Sequence, residues 1–210
     1  MKKPKQTIAT EFEELVKKHP KIEFVDAIFA DLHGYIRGKR FPLGEASKIY
    51  TSGVQIPDSS FFLDPHGDSG DPCGRGFSDG DPDSTLWPVP GTTCYVPWGA
   101  GNGAQVLVEL YNDDGSSNYV DPRRLAARAM EMFDSLGYRL RLAFELEFCL
   151  VDKKLDIRGK PRFPGMRGED GGEMQTQVYS LSDLDQRHEF LTGVQDTLSL
   201  IHISEPTRPY

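Results

Sequence analysis

The sequence predicts an α+β protein: a twisted, mostly antiparallel sheet carrying one helix, followed by a second unit that opens helix then strand. Three observations predict it. Residues 139–152 alternate with a period of two, placing Leu140, Leu142, Phe144, Leu146, Phe148 and Leu150 on one face of a strand. Just before them, Asp121 suits a helix N-cap, Pro122 its first position and Gly137 its exit, which delimits a helix over 122–136. Upstream, short apolar runs are broken by Gly, Pro and Asp clusters, and Asn112 to Ser117 is pure turn chemistry that separates the two units.

In chain order, Phe12, Leu15 and Val16 at helical spacing ahead of Pro20 predict a short amphipathic helix over 10–19. Residues 22–30 read as an apolar strand, and Asp31 to Gly34 as a turn into a second strand over 35–41, together a hairpin. Its basic residues Arg37, Lys39 and Arg40 read as a solvated edge that discourages sheet-to-sheet pairing, and His33 as a turn residue. The Gly34, Gly38, Lys39 run is not a phosphate-binding loop: the glycines are one residue too close and no Ser or Thr follows the lysine. Residues 64–83, dense in Gly, Pro and Asp, can bury almost nothing and are expected to be a surface loop. Asp79, Asp81 and Asp83 resemble the start of a calcium loop, but Pro82 intervenes and the sixth-position glycine and closing glutamate are missing. Strands are expected at 85–89, 93–97 and 105–111. The 122–136 helix presents Leu125, Ala129, Met132, Phe133 and Leu136 as a stripe expected to be buried. After the strand at 139–152 come a loop over 153–172, a short strand over 174–179 and a helix over 181–196.

The chain has 210 residues, 38% hydrophobic, enough for a packed core of one large or two small domains. A net charge of −8 argues against nucleic-acid binding, which calls for a basic stripe. Cys73, Cys94 and Cys149 are odd in number and widely spaced, so neither a disulfide framework nor a zinc knuckle is indicated and a reducing cytoplasm fits best. The basic N-terminus is followed by no apolar core of a signal peptide, and no apolar run is long enough to span a membrane.

On the predicted strand, Glu145 and Glu147 share the face opposite the leucines, roughly 6.6 Å apart along the chain. Like charges this close need water or a cation between them. Two readings stand at this point: the solvated face of an antiparallel strand, or a base for hard divalent ions such as Mg²⁺ or Mn²⁺, which prefer carboxylate oxygens.

Residues 121–152, DPRRLAARAMEMFDSLGYRLRLAFELEFCLVD, resemble the Asp-Pro-Arg helix and Glu-x-Glu-Phe strand of the glutamine synthetase family. Residues 23–42 and 83–92 support the resemblance, which covers about residues 10 to 197. Leu146 between the glutamates, the basic hairpin and QTQVYSLSDLD at 175–185 are similar to the γ-glutamylpolyamine synthetase branch, typified by γ-glutamylputrescine synthetase. The resemblance implies an N-terminal helix over 1–20, a β-grasp-like domain over 21–115, and over 119–197 the truncated start of a catalytic domain built on an antiparallel sheet. It also implies an ATP-dependent ligase that phosphorylates the γ-carboxylate of glutamate and joins it to an amine such as putrescine, working in a homo-oligomeric ring. The alternatives are a glutamine synthetase that uses ammonia and a non-catalytic scaffold of the same fold. Glu145 and Glu147 match two strand ligands that serve different Mg²⁺ or Mn²⁺ ions. Asp58, with Ser59 and Ser60, lies where the family has Asp-Gly-Ser-Ser, whose aspartate holds ammonium and takes its proton. Here the glycine is absent, and the other reading is an ordinary loop-capping aspartate. Residues 198–210, LSLIHISEPTRPY, read as the in-frame translation of a transposon-end sequencing adapter, so native sequence is expected to stop near Thr197. The family's further metal ligands and most ATP contacts would then lie outside this polypeptide, which by itself is expected to be inactive and poorly soluble.

Overall fold

The computed structural model describes residues 7–98, 101–112, 114–116, 118–142, 147–161 and 180–201. The described residues within 1–140 and 200–201 form one compact unit, and those within 141–199 a second.

The first unit opens with helix α1 (Thr7–Lys18), whose Phe12 and Leu15 pack on the core. Strands β1 (Phe24–Ala30) and β2 (Ile36–Pro42) form the expected antiparallel hairpin. In β1 alternate residues are buried, with Val25, Ala27 and Phe29 at 2% exposure or less. Helix α2 (Leu43–Thr51) and strand β3 (Val54–Pro57) follow without a break, and neither is anticipated by the sequence reading. Ala46, Ile49 and Tyr50 bury the inner face of α2, a three-and-four spacing that is present in the sequence but short enough to be overlooked. Strands β4 (Asp83–Pro88), β5 (Cys94–Val96) and β6 (Gly103–Tyr111) lie within two residues of expectation.

The sheet runs β2-β1-β6-β4-β3, with β5 also on β6. Only β1 and β6 pair in parallel among the described strands, so the sheet is mixed and mostly antiparallel. The centre is β6: its first half pairs with β5 and its second half with β4 along one edge, while β1 takes the other. Its Ala104, Val106, Val108 and Leu110 are fully buried, and each such side chain contributes roughly 1.5–3 kcal/mol when large. Gly103 is required at the start of β6, because a Cβ there would stand 2.7 Å from the Phe24 ring.

The basic strand β2 is an exposed edge of the sheet, as expected, and its cations are in addition paired. Arg37 Nε donates to the buried Asp31 Oδ2 at 2.6 Å, and Arg40 binds Asp26 through two donors while lying 3.7 Å over the Phe24 ring. Lys39 Nζ donates to the Gln55 carbonyl on β3, the opposite edge strand. His33 is a turn residue as expected, its backbone N–H donating to Asp31 Oδ1 at 2.9 Å.

Helix α3 (Pro122–Ser135) begins at the predicted cap: Asp121 Oδ1 accepts the Arg123 N–H at 2.9 Å. Its apolar stripe is not buried, which corrects the expectation. Leu125, Met132 and Phe133 are exposed, as is Leu136 just past the helix, because no described residue covers this face.

In the second unit the strand expected over 139–152 does not form in its described part. Residues 141–142 and 147–152 pair with no strand, and Leu142, Phe148 and Val151 are exposed. Alternation prepares a segment to be a strand, but a ladder needs a second strand to accept its hydrogen bonds, and no described residue supplies one. Helices α4 (Leu181–Gln186) and α5 (His188–Ile201) replace the single helix expected over 181–196. Phe148 meets Phe190 of α5 edge-on at 6.1 Å. The strand expected over 174–179 lies outside the described residues. No described helix is long and apolar enough to cross a membrane.

Candidate functional site

Asp58 opens a short 3-10 turn, Asp58–Phe61, directly after β3. The turn is fixed on two sides. Phe61 is fully buried against Phe29 with ring centroids 4.6 Å apart, and its carbonyl accepts the Leu32 N–H at 3.1 Å. Across from it, Ser59 Oγ donates to Asp81 Oδ2 at 2.9 Å. Asp58 is thereby held at 3% exposure.

One carboxylate oxygen is used and the other is not. Asp58 Oδ2 accepts Arg75 Nη2 at 2.6 Å, whereas Oδ1 is buried with no hydrogen-bond partner. The other arm of Arg75 donates from Nη1 to the Tyr119 hydroxyl at 2.7 Å, and the guanidinium carbon lies 5.5 Å from that ring's centroid. Burial works against the charge on Arg75, but Tyr119 and Asp58 outweigh it and raise its pKa above the usual guanidinium value.

The loop that delivers Arg75 is ordered by its own aspartates. Asp64 Oδ1 accepts the N–H groups of His66 and Asp68, Asp71 Oδ1 that of Phe77, and Asp79 Oδ1 those of Gly76 and Asp81. The Gly76 and Asp81 donors hold the Asp79 carboxyl below the usual range. Of the carboxylates that resemble the start of a calcium loop, Asp79 is thus a turn acceptor and Asp81 accepts from Ser59. Sequence reasoning singled out Asp58 but missed Arg75 and Tyr119. The signal available was that Arg75 is the one Lys or Arg among six aspartates in residues 64–83.

A second polar cluster, also missed, lies at the end of β6. Glu109, 7% exposed, accepts Arg123 Nε at 3.1 Å, Arg124 Nη1 at 3.4 Å and the Tyr111 hydroxyl at 3.2 Å. Beside it the buried Asp121 Oδ2 accepts the Leu110 N–H at 2.8 Å, which ties α3 to the sheet.

Of the predicted metal pair, Glu147 is exposed in the second unit and Glu145 lies outside the described residues. Asp58 belongs to the first unit. No group of three His, Cys, Asp or Glu side chains able to hold a metal ion occurs among the described residues. The donor chemistry of Glu147, an accessible carboxylate, fits a hard hydrated ion such as Mg²⁺ or Mn²⁺.

The class of protein follows from comparison with known families. Residues 119–205 match the model of the glutamine synthetase catalytic domain, which bears out the family resemblance read from the sequence. The match begins at Tyr119, the residue that holds Arg75. More particularly, the chain is 30% identical over 190 residues to γ-glutamylputrescine synthetase PuuA of Escherichia coli K12, covering 90% of this chain and 40% of that protein. It is also 30% identical over 133 residues to glutamine synthetase of Pyrococcus woesei, covering 63% of this chain and 27% of that one. The solved GmaS/ADP complex shares the fold: TM-score 0.57 at 16% identity, over 97% of this chain and 40% of that one. The chain therefore spans less than half the length of these relatives.

Proposed function

We propose that this chain is part of an ATP-dependent ligase that joins the γ-carboxylate of glutamate to an amine, of the γ-glutamylputrescine synthetase type. The observation that carries the reading is the 30% identity to PuuA across 90% of the chain, a longer match than the 63% found with the Pyrococcus glutamine synthetase. In the proposed reaction, a γ-carboxylate oxygen of glutamate attacks the γ-phosphorus of ATP. ADP leaves and γ-glutamyl phosphate forms. The amine nitrogen then attacks the acyl carbon, inorganic phosphate leaves, and the nitrogen gives up a proton.

Glu145 and Glu147 would hold Mg²⁺ or Mn²⁺, which when bound neutralises charge on the phosphoryl group in flight. Asp58 is assigned to hold the cationic amine and take the proton. Its Oδ1, buried and without a hydrogen-bond partner, supports the role, since a base needs an oxygen not already engaged by a donor. The chain spans 40% of PuuA, so the remaining ligands and the nucleotide and glutamate contacts are assigned to residues outside it. The 210-residue polypeptide alone is expected to release no phosphate.

The test uses a longer version of the protein that matches its relatives end to end, assayed for phosphate released from ATP with glutamate and putrescine. E147Q and E145Q should each lower kcat at least about 100-fold and raise the Mn²⁺ concentration needed for half activity, the scale expected when an electrostatic stabiliser is lost. Wild-type turnover in both variants overturns the metal assignment. Turnover with ammonium but not putrescine replaces the polyamine reading with that of a glutamine synthetase.

A further inference from the structure

In α3 and just past it, every residue from Arg128 to Tyr138 is exposed, so among the described residues the helix meets the sheet by its N-terminal turns alone. Leu125, Ala129, Met132 and Leu136 follow one another at intervals of four, three and four residues, the seam spacing of a coiled coil. Met132, in the middle of that seam, is 69% exposed. An apolar stripe of this kind in water calls for a second surface.

We propose that α3 is a self-recognition surface through which two copies of this chain pair antiparallel about a two-fold axis. The seam is symmetric about the bond between Met130 and Glu131. An antiparallel pair therefore sets Leu125 level with the partner's Leu136, and Ala129 level with the partner's Met132, a small side chain against a large one. At about 100° per residue, Arg128 and Glu131 lie along one flank of the seam, Ala126 and Phe133 along the other. A two-fold axis brings like flank onto like flank. Arg128 then stands beside the partner's Glu131, and Phe133 over the partner's Ala126, each within about 3 Å of level, and symmetry forms every contact twice. Among the described residues neither Arg128 nor Glu131 has an ion-pair partner, whereas Arg123 and Arg124, nearer the sheet, are held by Glu109. A parallel pair loses all of this, because it sets Arg128 on Arg128 and Met132 on Met132. The pairing is independent of the ligase reading and uses none of the residues assigned to it.

The experiment is sedimentation velocity on the 210-residue chain from about 5 to 500 µM, the range suited to an interface of two short helices. The parent should pass from monomer to dimer. M132D changes a side chain that the fold leaves exposed, and should raise the dissociation constant at least about 100-fold. R128E and E131R should each raise it about 5–10-fold, since each turns two attractive pairs repulsive. In R128E/E131R the charges have traded places, and the constant should return to within about 2-fold of the parent. A parent that stays monomeric, an M132D chain that pairs like the parent, or a double variant no better than the singles overturns the proposal. So does a monomer whose amides along 125–136 are protected from exchange, because the chain then covers the seam from within. Should the parent precipitate, disulfide formation in dilute solution decides. A129C and M132C chains mixed under mild oxidation should join to each other through those positions faster than either joins to itself, and equal rates refute the pairing.

Discussion

Replacing Asp121 with alanine removes the one side chain that both caps α3 and ties it to the central strand. The carboxylate is 2% exposed, with Oδ1 on the Arg123 N–H at 2.9 Å and Oδ2 on the Leu110 N–H at 2.8 Å. Loss of an N-cap costs about 1 kcal/mol, and leaving the buried Leu110 N–H without an acceptor costs about 1–3 kcal/mol. One effect opposes these. Burial pushes the Asp121 carboxyl above the usual range despite the N–H donors of Leu110 and Arg123, so the variant is relieved of that desolvation. The net expectation is a loss of about 2–3 kcal/mol, which lowers the melting temperature by about 4–12 °C. Thermal denaturation followed by circular dichroism reads the total. Amide exchange at Leu110 reads the mechanism, since its protection should fall more than that of Val106 on the same strand. A D121A chain that melts within about 1 °C of the parent, with Leu110 still protected, refutes the reasoning, because the two lost bonds then contribute nothing net.

The buried turn at Asp31 gives a pH signature. Burial alone would push its carboxyl up, but Arg37 and the N–H groups of Tyr35 and His33 outweigh it and hold it below the usual range. A folded value below the unfolded one means that the stabilisation is complete above the unfolded pKa, near 3.9, and is lost as pH falls through the folded value. The melting-temperature gap between parent and D31N should therefore be wide at neutral pH and close below about pH 4, whereas a gap constant from neutral to acid would contradict it. Gly38 on edge strand β2 tests the hairpin register: a Cβ there would lie 2.1 Å from the Ala27 carbonyl oxygen, so G38A should cost about 1–3 kcal/mol in urea denaturation. G44A, with open space around its Cβ in the first turn of α2, is the matched control and should be neutral or slightly stabilising.

The sequence by itself determined several local elements and the family resemblance. The Asp121–Pro122 start of α3, the hairpin and the strands β4 to β6 follow from periodicity, caps and turns, which act over a few neighbouring residues and are written in order along the chain. The proposed pairing of Glu145 and Glu147 rests on the same kind of local pattern, the alternation over 139–152. Tertiary structure decided what depends on partners far apart in the chain. It paired β1 in parallel with β6, packed α2 on the core and added β3 to the sheet as its edge strand beside β4. It also left the α3 stripe exposed and the described part of 139–152 outside any ladder, since burial and strand pairing require a second surface that no local pattern supplies. It brought Arg75 from a loop of aspartates to Asp58, 17 positions away, and Tyr119 to Arg75, 44 positions away. A lone cation among carboxylates has many possible partners in sequence, and only the path of the folded backbone selects one.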